Sequence, residues 1–311
     1  MKTTTISLCS LIIAGNIFAQ GTPSVTDQIK TYLQQYEAAG YHGSVLAASK
    51  GKILVEQGYG LADREAGRKQ DAETVFCIGS ITKQFTAAGI VKLESMGKIR
   101  VEDALSTYFP DAPADKAKIT IHQLLTHTAG FPGAIGDDYE TVNTQQFLKL
   151  AWETPLLTPP GTQYEYSNVG YSILGILIEK ISGKSYDAFL REHLWLPAGM
   201  KQTGYLLPGF KKENLAVGYE QDKRWGTALD HAWLVDGPGW HLRANGGVLS
   251  TVGDMYRWYL ALKKHVVMPE SAVKKLFTPY VKEGPNAPSY YGYGWVVQQA
   301  GEKQVIWHNG G

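Results

Sequence analysis

Phe76-Cys77-Ile78-Gly79-Ser80-Ile81-Thr82-Lys83 is an apolar, extended approach that reaches a glycine and turns into helix at a serine. Downstream, Ile81, Phe85, Ala88 and Leu93 track one helical face until Gly97 supplies a stop. A serine hydroxyl is a weak nucleophile until a base takes its proton, and a lysine three residues later on a helix lies on the same face within reach. The first turn of a helix favours an alkoxide at Ser80 and disfavours the ammonium form of Lys83, by ~0.3–1 kcal/mol for exposed groups and more when buried. Both effects prepare Lys83 to act as base. The same spacing recurs at Ser49/Lys52 in a hairpin turn, Ser95/Lys98 across Gly97 and Ser271/Lys274 on a lysine-rich helix. Only Ser80 stands at a strand-to-helix corner, where the competing reading is a plain helix N-cap.

Outward from that corner, residues 43–48 and 53–58 are two strand-like runs joined by Ser49-Lys50-Gly51-Lys52, a hairpin with a glycine turn. Helical patterning recurs at 121–127, 144–152, 171–181, 186–194, 252–263 and 269–277, with connectors rich in proline and glycine. Residues 290–299 and 303–307 return to aromatic and β-branched strand composition. Strands at both ends of a helical middle predict an α/β (α+β) fold: an antiparallel sheet built from both termini, flanked by helices, with an inserted, mainly helical lobe. The sheet lobe is expected over 20–75 and 285–311, the helical lobe over 76–284, and the site in the cleft between them.

The chain has 311 residues, 44% of them apolar and 19% charged, which is enough for a sizeable core. Thirty basic and twenty-nine acidic residues nearly cancel, so nothing points to a nucleic-acid or membrane-surface partner; a small molecule or peptide is expected instead. Met1-Lys2, an apolar run over 6–14 and Ile17-Phe18-Ala19 before Gln20 follow the order of an export signal, and the run is too short to span a bilayer. A signal over 1–19, a periplasmic or extracellular location and no membrane anchor after cleavage are expected. Cys9 would leave with the signal, and Cys77 alone supports neither a disulfide framework nor a thiolate metal cluster. No cofactor is expected.

Two further segments carry chemistry. Tyr164-Glu165-Tyr166-Ser167-Asn168 follows Pro159-Pro160-Gly161 and holds the one Tyr-x-Asn among eighteen tyrosines. A lysine nearby is expected to pull the Tyr166 phenol pKa down and let it pass protons, while Asn168 offers a donor and an acceptor to hold a lysine or a substrate amide. An aromatic loop packed on the helical lobe is the competing reading. His308-Asn309-Gly310-Gly311 follows the apolar strand Val305-Ile306-Trp307, so the Gly311 amide is expected to join that of Ser80 as an oxyanion hole. A simple turn is the alternative.

Taken in order, these three segments resemble the signature of the penicillin-binding-protein and serine β-lactamase superfamily: Ser-x-x-Lys, a Tyr- or Ser-headed triplet ending in Asn, then Lys-Thr-Gly or a variant. Leu124-Leu125-Thr126-His127-Thr128-Ala129-Gly130, Pro159-Pro160-Gly161-Thr162 and Gly246-Gly247-Val248-Leu249-Ser250-Thr251 resemble stretches of its class C β-lactamase-related branch, which holds β-lactamases, D-alanyl-D-alanine carboxypeptidases, D-aminopeptidases and carboxylesterases. The resemblance implies Ser80 as acylated nucleophile, Lys83 as its base, Tyr166 as second acid/base, and Asn168, His308, Asn309 and Gly310 as substrate-binding residues. It implies a structural role for His127. His308 stands where the family commonly has lysine. A histidine, with a reference pKa of ~6.5, is mostly neutral at pH 7, which shifts the expectation from β-lactam carboxylates toward esters or D-Ala-type peptides. The family continues past its third motif with more sheet and a covering helix, so a partial sequence, truncated at the C-terminus and poorly stable or inactive as it stands, is expected.

Other classes fit less well. An α/β-hydrolase needs Gly-x-Ser-x-Gly, which Gly170-Tyr171-Ser172-Ile173-Leu174-Gly175 misses by one residue; His-Glu-x-x-His of a metallohydrolase is absent. A non-enzymatic reading, a penicillin sensor acylated on Ser80 without turnover or a binding module, needs Ser80 and Lys83 but not Tyr166. Lys282-Glu283-Gly284 is the one Lys-x-Gly and is read as part of a polar, proline-rich loop. Substrate shape is expected to depend on 137–144 and 211–239, with Trp225, Trp233, Trp240 and Tyr219 as candidate lining or core residues.

Overall fold

The computed structural model describes residues 23–311; the expected export signal and Cys9 lie outside them. A helix absent from the sequence reading, Val25–Ala38, comes first, started by the Ser24 hydroxyl, which accepts from the Asp27 amide. The hairpin follows as expected. Gly43–Ser49 pairs antiparallel with Lys52–Tyr59, and Lys50 and Gly51 take the positive φ values, 50° and 79°, that the tight turn demands.

At the other end, Lys303–Trp307, Val296–Ala300, Ser289–Tyr291 and Val281–Lys282 form a four-stranded antiparallel sheet in that order. Both ends of the chain thus contribute antiparallel strands, as two sheets with no ladder between them among the described residues. Two local expectations change. The run 290–299 is not one strand, because the chain folds back at Gly292, whose amide donates to the Trp295 carbonyl at 2.7 Å. Gly294, at φ 75°, presses on the backbone of Lys83, where a Cβ would lie 2.6 Å from the Lys83 carbonyl oxygen. Lys282-Glu283 is not a free loop either, since Val281–Lys282 is the fourth strand.

The helix Thr82–Ser95 runs through the core. Phe85, Ala87, Ala88, Ile90, Val91 and Leu93 are buried on it, and Gly89 lets Ile178 and Leu190 approach to where a Cβ would sit 2.8 and 2.9 Å away. Each large apolar side chain so buried stabilises the fold by roughly 1.5–3 kcal/mol. Its neighbour Asn168–Ser182 starts three residues before the predicted 171 because the Ser167 hydroxyl accepts from the Gly170 amide as N-cap. Ile121–Leu125 stops short of the expected 127, since His127 adopts φ 58°. The helix expected over 186–194 is Tyr186–Leu190 followed by a wider π-helical turn, Arg191–Trp195. Thr144–Glu153, Val252–Lys263 and Glu270–Leu276 lie within one residue of expectation.

Candidate active site

The approach to Ser80 is extended because Phe76–Cys77 pairs with Leu249–Ser250, and the Ile78 amide donates to the Val248 carbonyl at 2.9 Å. Gly79, at φ 51°, then turns the chain into a 3₁₀ turn over Gly79–Ile81 that feeds Thr82–Ser95. Lys83 therefore occupies the first turn of the α-helix, fully buried.

The lysine Nζ is surrounded by three oxygens: Asn168 Oδ1 at 2.7 Å, the Asn245 carbonyl at 2.8 Å and Ser80 Oγ at 3.1 Å. Burial lowers its pKa from 10.5 to about 7, with the Asp138 carboxylate opposing the shift. A neutral amine has two N–H groups and one lone pair. The two carbonyl acceptors occupy the N–H groups, and the lone pair is left to accept the Ser80 O–H. Asn245 is fixed in turn by its amide, which donates to Ser172 Oγ at 2.9 Å and to the His241 carbonyl at 2.8 Å. Buried Arg243 anchors the same segment through Asp236, at 2.7 and 2.9 Å, and the Pro238 carbonyl at 2.9 Å.

Tyr166 faces Lys83 with its ring, the Nζ lying 4.7 Å from the ring centroid. The expectation of a depressed phenol is overturned. Tyr166 is 36% exposed, yet crowding at the cleft wall pushes its pKa to about 12; the Ser80 hydroxyl offsets part of this and the Glu283 charge adds to it. The Lys83 charge, only partial near pH 7, is not among the causes that move the phenol. Tyr166 is thus a held proton, suited to donating to a leaving group.

His127 is buried behind Tyr166 among Tyr164, Tyr171 and Tyr291, with ring centroids 4.4 to 5.7 Å away. Its Nδ1 accepts from the Ser167 amide at 3.0 Å, so it braces the Tyr166-Ser167-Asn168 segment. Burial holds it well below its usual pKa, assisted by Lys83 and His308.

His308 meets the Asn309 carbonyl through Nδ1 at 2.7 Å and the Tyr291 hydroxyl through Nε2 at 2.9 Å. A carbonyl only accepts, so Nδ1 carries the hydrogen and Nε2 accepts from Tyr291; both nitrogens are satisfied without a charge. Burial lowers the pKa to about 4, against the Asn309 carbonyl and with the help of Lys83. Gly310 lies against the approach strand, where a Cβ would sit 2.1 Å from the Ile78 carbonyl oxygen, and a Cβ on Gly79 would sit 2.7 Å from the Gly311 nitrogen. The Gly311 amide and Ser80 are therefore neighbours across the cleft.

Two cavities flank Ser80 and share Gly310 and Gly311. One, of about 330 Å³, is lined by Asn168, Asp138, Tyr139 and Trp225. The other, of about 300 Å³, is lined by Tyr166, Tyr164, Glu283, His308 and Trp307. Of the aromatic candidates in 211–239 and after, Trp225 reaches the first cavity while Trp240 is core. Sequence reasoning missed Asn245, which acts through its carbonyl and so leaves no side-chain signal. It also missed Asp138, and it set Glu283 aside with its loop.

The chain belongs to the beta-lactamase family, whose model, described as Beta-lactamase, matches residues 25–311. It is 30% identical over 291 residues to Penicillin-binding protein 4* of Bacillus subtilis (strain 168), covering 87% of this chain and 63% of that protein. It is 29% identical over 270 residues to Putative penicillin-binding protein PbpX of the same strain, covering 87% and 65%. The chain thus spans a little under two thirds of the length of these relatives. The crystal structure of a penicillin binding protein from Bacillus halodurans matches with a TM-score of 0.70 at 30% identity over 83% of this chain and 80% of that one. A D-amino acid amidase from Ochrobactrum anthropi SV3 shares the fold at a TM-score of 0.77 and 22% identity, over 91% and 84% of the two chains. The family and the mixed α/β architecture agree with the resemblance carried by the three motifs.

Proposed function

We propose that this protein is an exported serine hydrolase that cleaves an ester or amide of a small molecule or peptide through an acyl-enzyme on Ser80. The observation that carries the reading is the 3.1 Å contact between Ser80 Oγ and a buried Lys83 whose pKa is held to about 7. Neutral Lys83 takes the Ser80 proton as Oγ bonds the substrate carbonyl carbon, and the charge on the carbonyl oxygen meets the amides of Ser80 and Gly311. The bond from carbon to the leaving group then breaks, and Tyr166 donates the proton that the leaving group needs, to be reprotonated from Lys83. Water, giving its proton back along the same route, cleaves the ester to Ser80.

Because neutral His308 supplies no cation for a substrate carboxylate, carboxylesterase or D-Ala-type peptidase activity is favoured over efficient β-lactamase activity. The names of the relatives favour a second reading, a protein that penicillin acylates and that turns over little. A chromogenic cephalosporin, a short-chain p-nitrophenyl ester and a D-alanyl-D-alanine peptide, assayed together with Ser80→Ala as control, test both. Faster loss of ester or peptide than of cephalosporin is the expected result. Unchanged activity in Ser80→Ala sinks the mechanism, and a long-lived penicillin adduct by intact mass without hydrolysis of any substrate favours the second reading.

A further inference from the structure

The cavity that holds Tyr166 is the leaving-group side of Ser80, since the group that protonates the leaving atom lines it, while Asn168 lines the other cavity. On this side stands a fixed carboxylate. Glu283 follows directly on the strand Val281–Lys282, and its amide donates to the Ser289 carbonyl at 3.2 Å. Its two oxygens accept from Ser289 Oγ at 2.5 Å and from the Tyr164 hydroxyl at 3.3 Å. Neither donor carries a charge, so no ion pair neutralises the carboxylate there. The field reaches the reacting groups, for the Glu283 charge is one of the causes that, after burial, hold the Tyr166 phenol up.

The neighbouring cation does not neutralise it, because Lys282 Nζ donates to the Pro285 carbonyl at 2.8 Å within its own turn. No lysine or arginine lines either cavity among the described residues. The histidine at the third motif is satisfied at both nitrogens in its neutral form. The leaving group therefore meets one unpaired negative charge.

We propose that Glu283 makes the leaving-group side of the cleft selective for alcohols, thiols or amines that bear a cationic group, over those that bear a carboxylate. The inference rests on the serine-hydrolase reading above and names the class of substrate it serves. Like charges brought together in a partly enclosed site disfavour the anionic substrate, and opposite charges favour the cationic one, with a strength that salt weakens.

Three thioacetates that share the acyl group separate the leaving-group term: acetylthiocholine, the acetyl thioester of 3-mercaptopropanoate, and that of 2-methoxyethanethiol, each followed by thiol release. The quantity read is kcat/KM for the cationic over the anionic substrate, and intrinsic reactivity cancels when protein variants are compared. In Glu283→Gln, which keeps the shape and removes the charge, the ratio is expected to fall about tenfold. In the wild type it is expected to fall as salt is raised. A ratio that stays the same in Glu283→Gln overturns the inference, and so does a wild-type ratio indifferent to salt, which needs no variant to fold. If the neutral thioester is not hydrolysed in a Ser80-dependent way, the hydrolase reading fails and takes this inference with it. If it is hydrolysed and the ratio does not move, the inference alone fails.

Discussion

Two helices of fourteen residues, Val25–Ala38 and Thr82–Ser95, are stabilised in opposite ways. The first has what an isolated helix needs: a serine cap and Asp27 in its first turn, where the dipole welcomes a negative charge. It buries no residue. The second has no side-chain cap and carries Lys83 in its first turn, the wrong sign for that position, yet almost every residue on it is buried. Capping and dipole effects amount to about 1 kcal/mol each, whereas a single buried aromatic ring outweighs both. A helix fixed by its surroundings tolerates a badly placed amine. That misplacement, together with burial, favours the neutral amine that the proposed mechanism uses as a base.

The widest expected contrast is in activity. Ser80→Ala and Lys83→Ala are each expected to lower kcat/KM for a hydrolysed ester by about 10³-fold or more, since nucleophile and base act as a unit. Asp27→Ala is expected to leave it unchanged; a Lys83→Ala enzyme with nearly full activity would break the comparison. In stability, Phe85→Ala is expected to cost about 3–5 kcal/mol in denaturant titrations, whereas Tyr32→Ala, at an exposed position on the first helix, is expected to stay within about 0.5 kcal/mol.

The pH dependence is a finer measure. With the folded pKa of Lys83 near 7, kcat/KM is expected to rise with pH through a limb near 7, and His308, near 4, adds no titration above pH 5. The unfolded chain binds a Lys83 proton below 10.5 that the folded protein takes up only near 7. Stability should therefore fall as pH drops from 10.5 to about 7 and level off below. Lys83→Met should remove that slope. The smallest effect is expected for Ser24→Ala, about 1 kcal/mol or less by thermal melting.

Elements whose own residues define them were legible in the sequence: Lys303–Trp307 and Val252–Lys263 end where their patterns end. Val25–Ala38 was passed over although Val25, Ile29, Tyr32, Leu33 and Tyr36 recur along it at helical spacing, because it lies directly behind the segment that reads as an export signal. The break at Gly292 and Gly294 is set by distant partners, the Leu276 carbonyl against Gly292 and the Lys83 backbone against Gly294, and the two glycines are its mark within 290–299. In the site, Ser80, Lys83 and Asn168 were found by motif order, and the structure brings their polar atoms together. The acidity of Tyr166 was misjudged because a nearby lysine implies a full charge, whereas burial weakens that charge and raises the phenol itself. Glu283 was passed over because a two-residue strand among polar residues and prolines carries no period to read.

The backbone contact of Gly79 with Gly310 and Gly311 joins segments separated by about three quarters of the chain. Such a junction forms late, after long loops have been closed. While the chain is being made, Ser80 and Lys83 leave the ribosome long before the strand that, in the proposed mechanism, completes the oxyanion side. The nascent chain at that stage would hold the proposed nucleophile without the Gly311 amide assigned to stabilise its charge. On refolding, the return of hydrolysis should lag behind the return of the helical signal, with the interval set by docking of Lys303–Trp307 and the glycines that follow it.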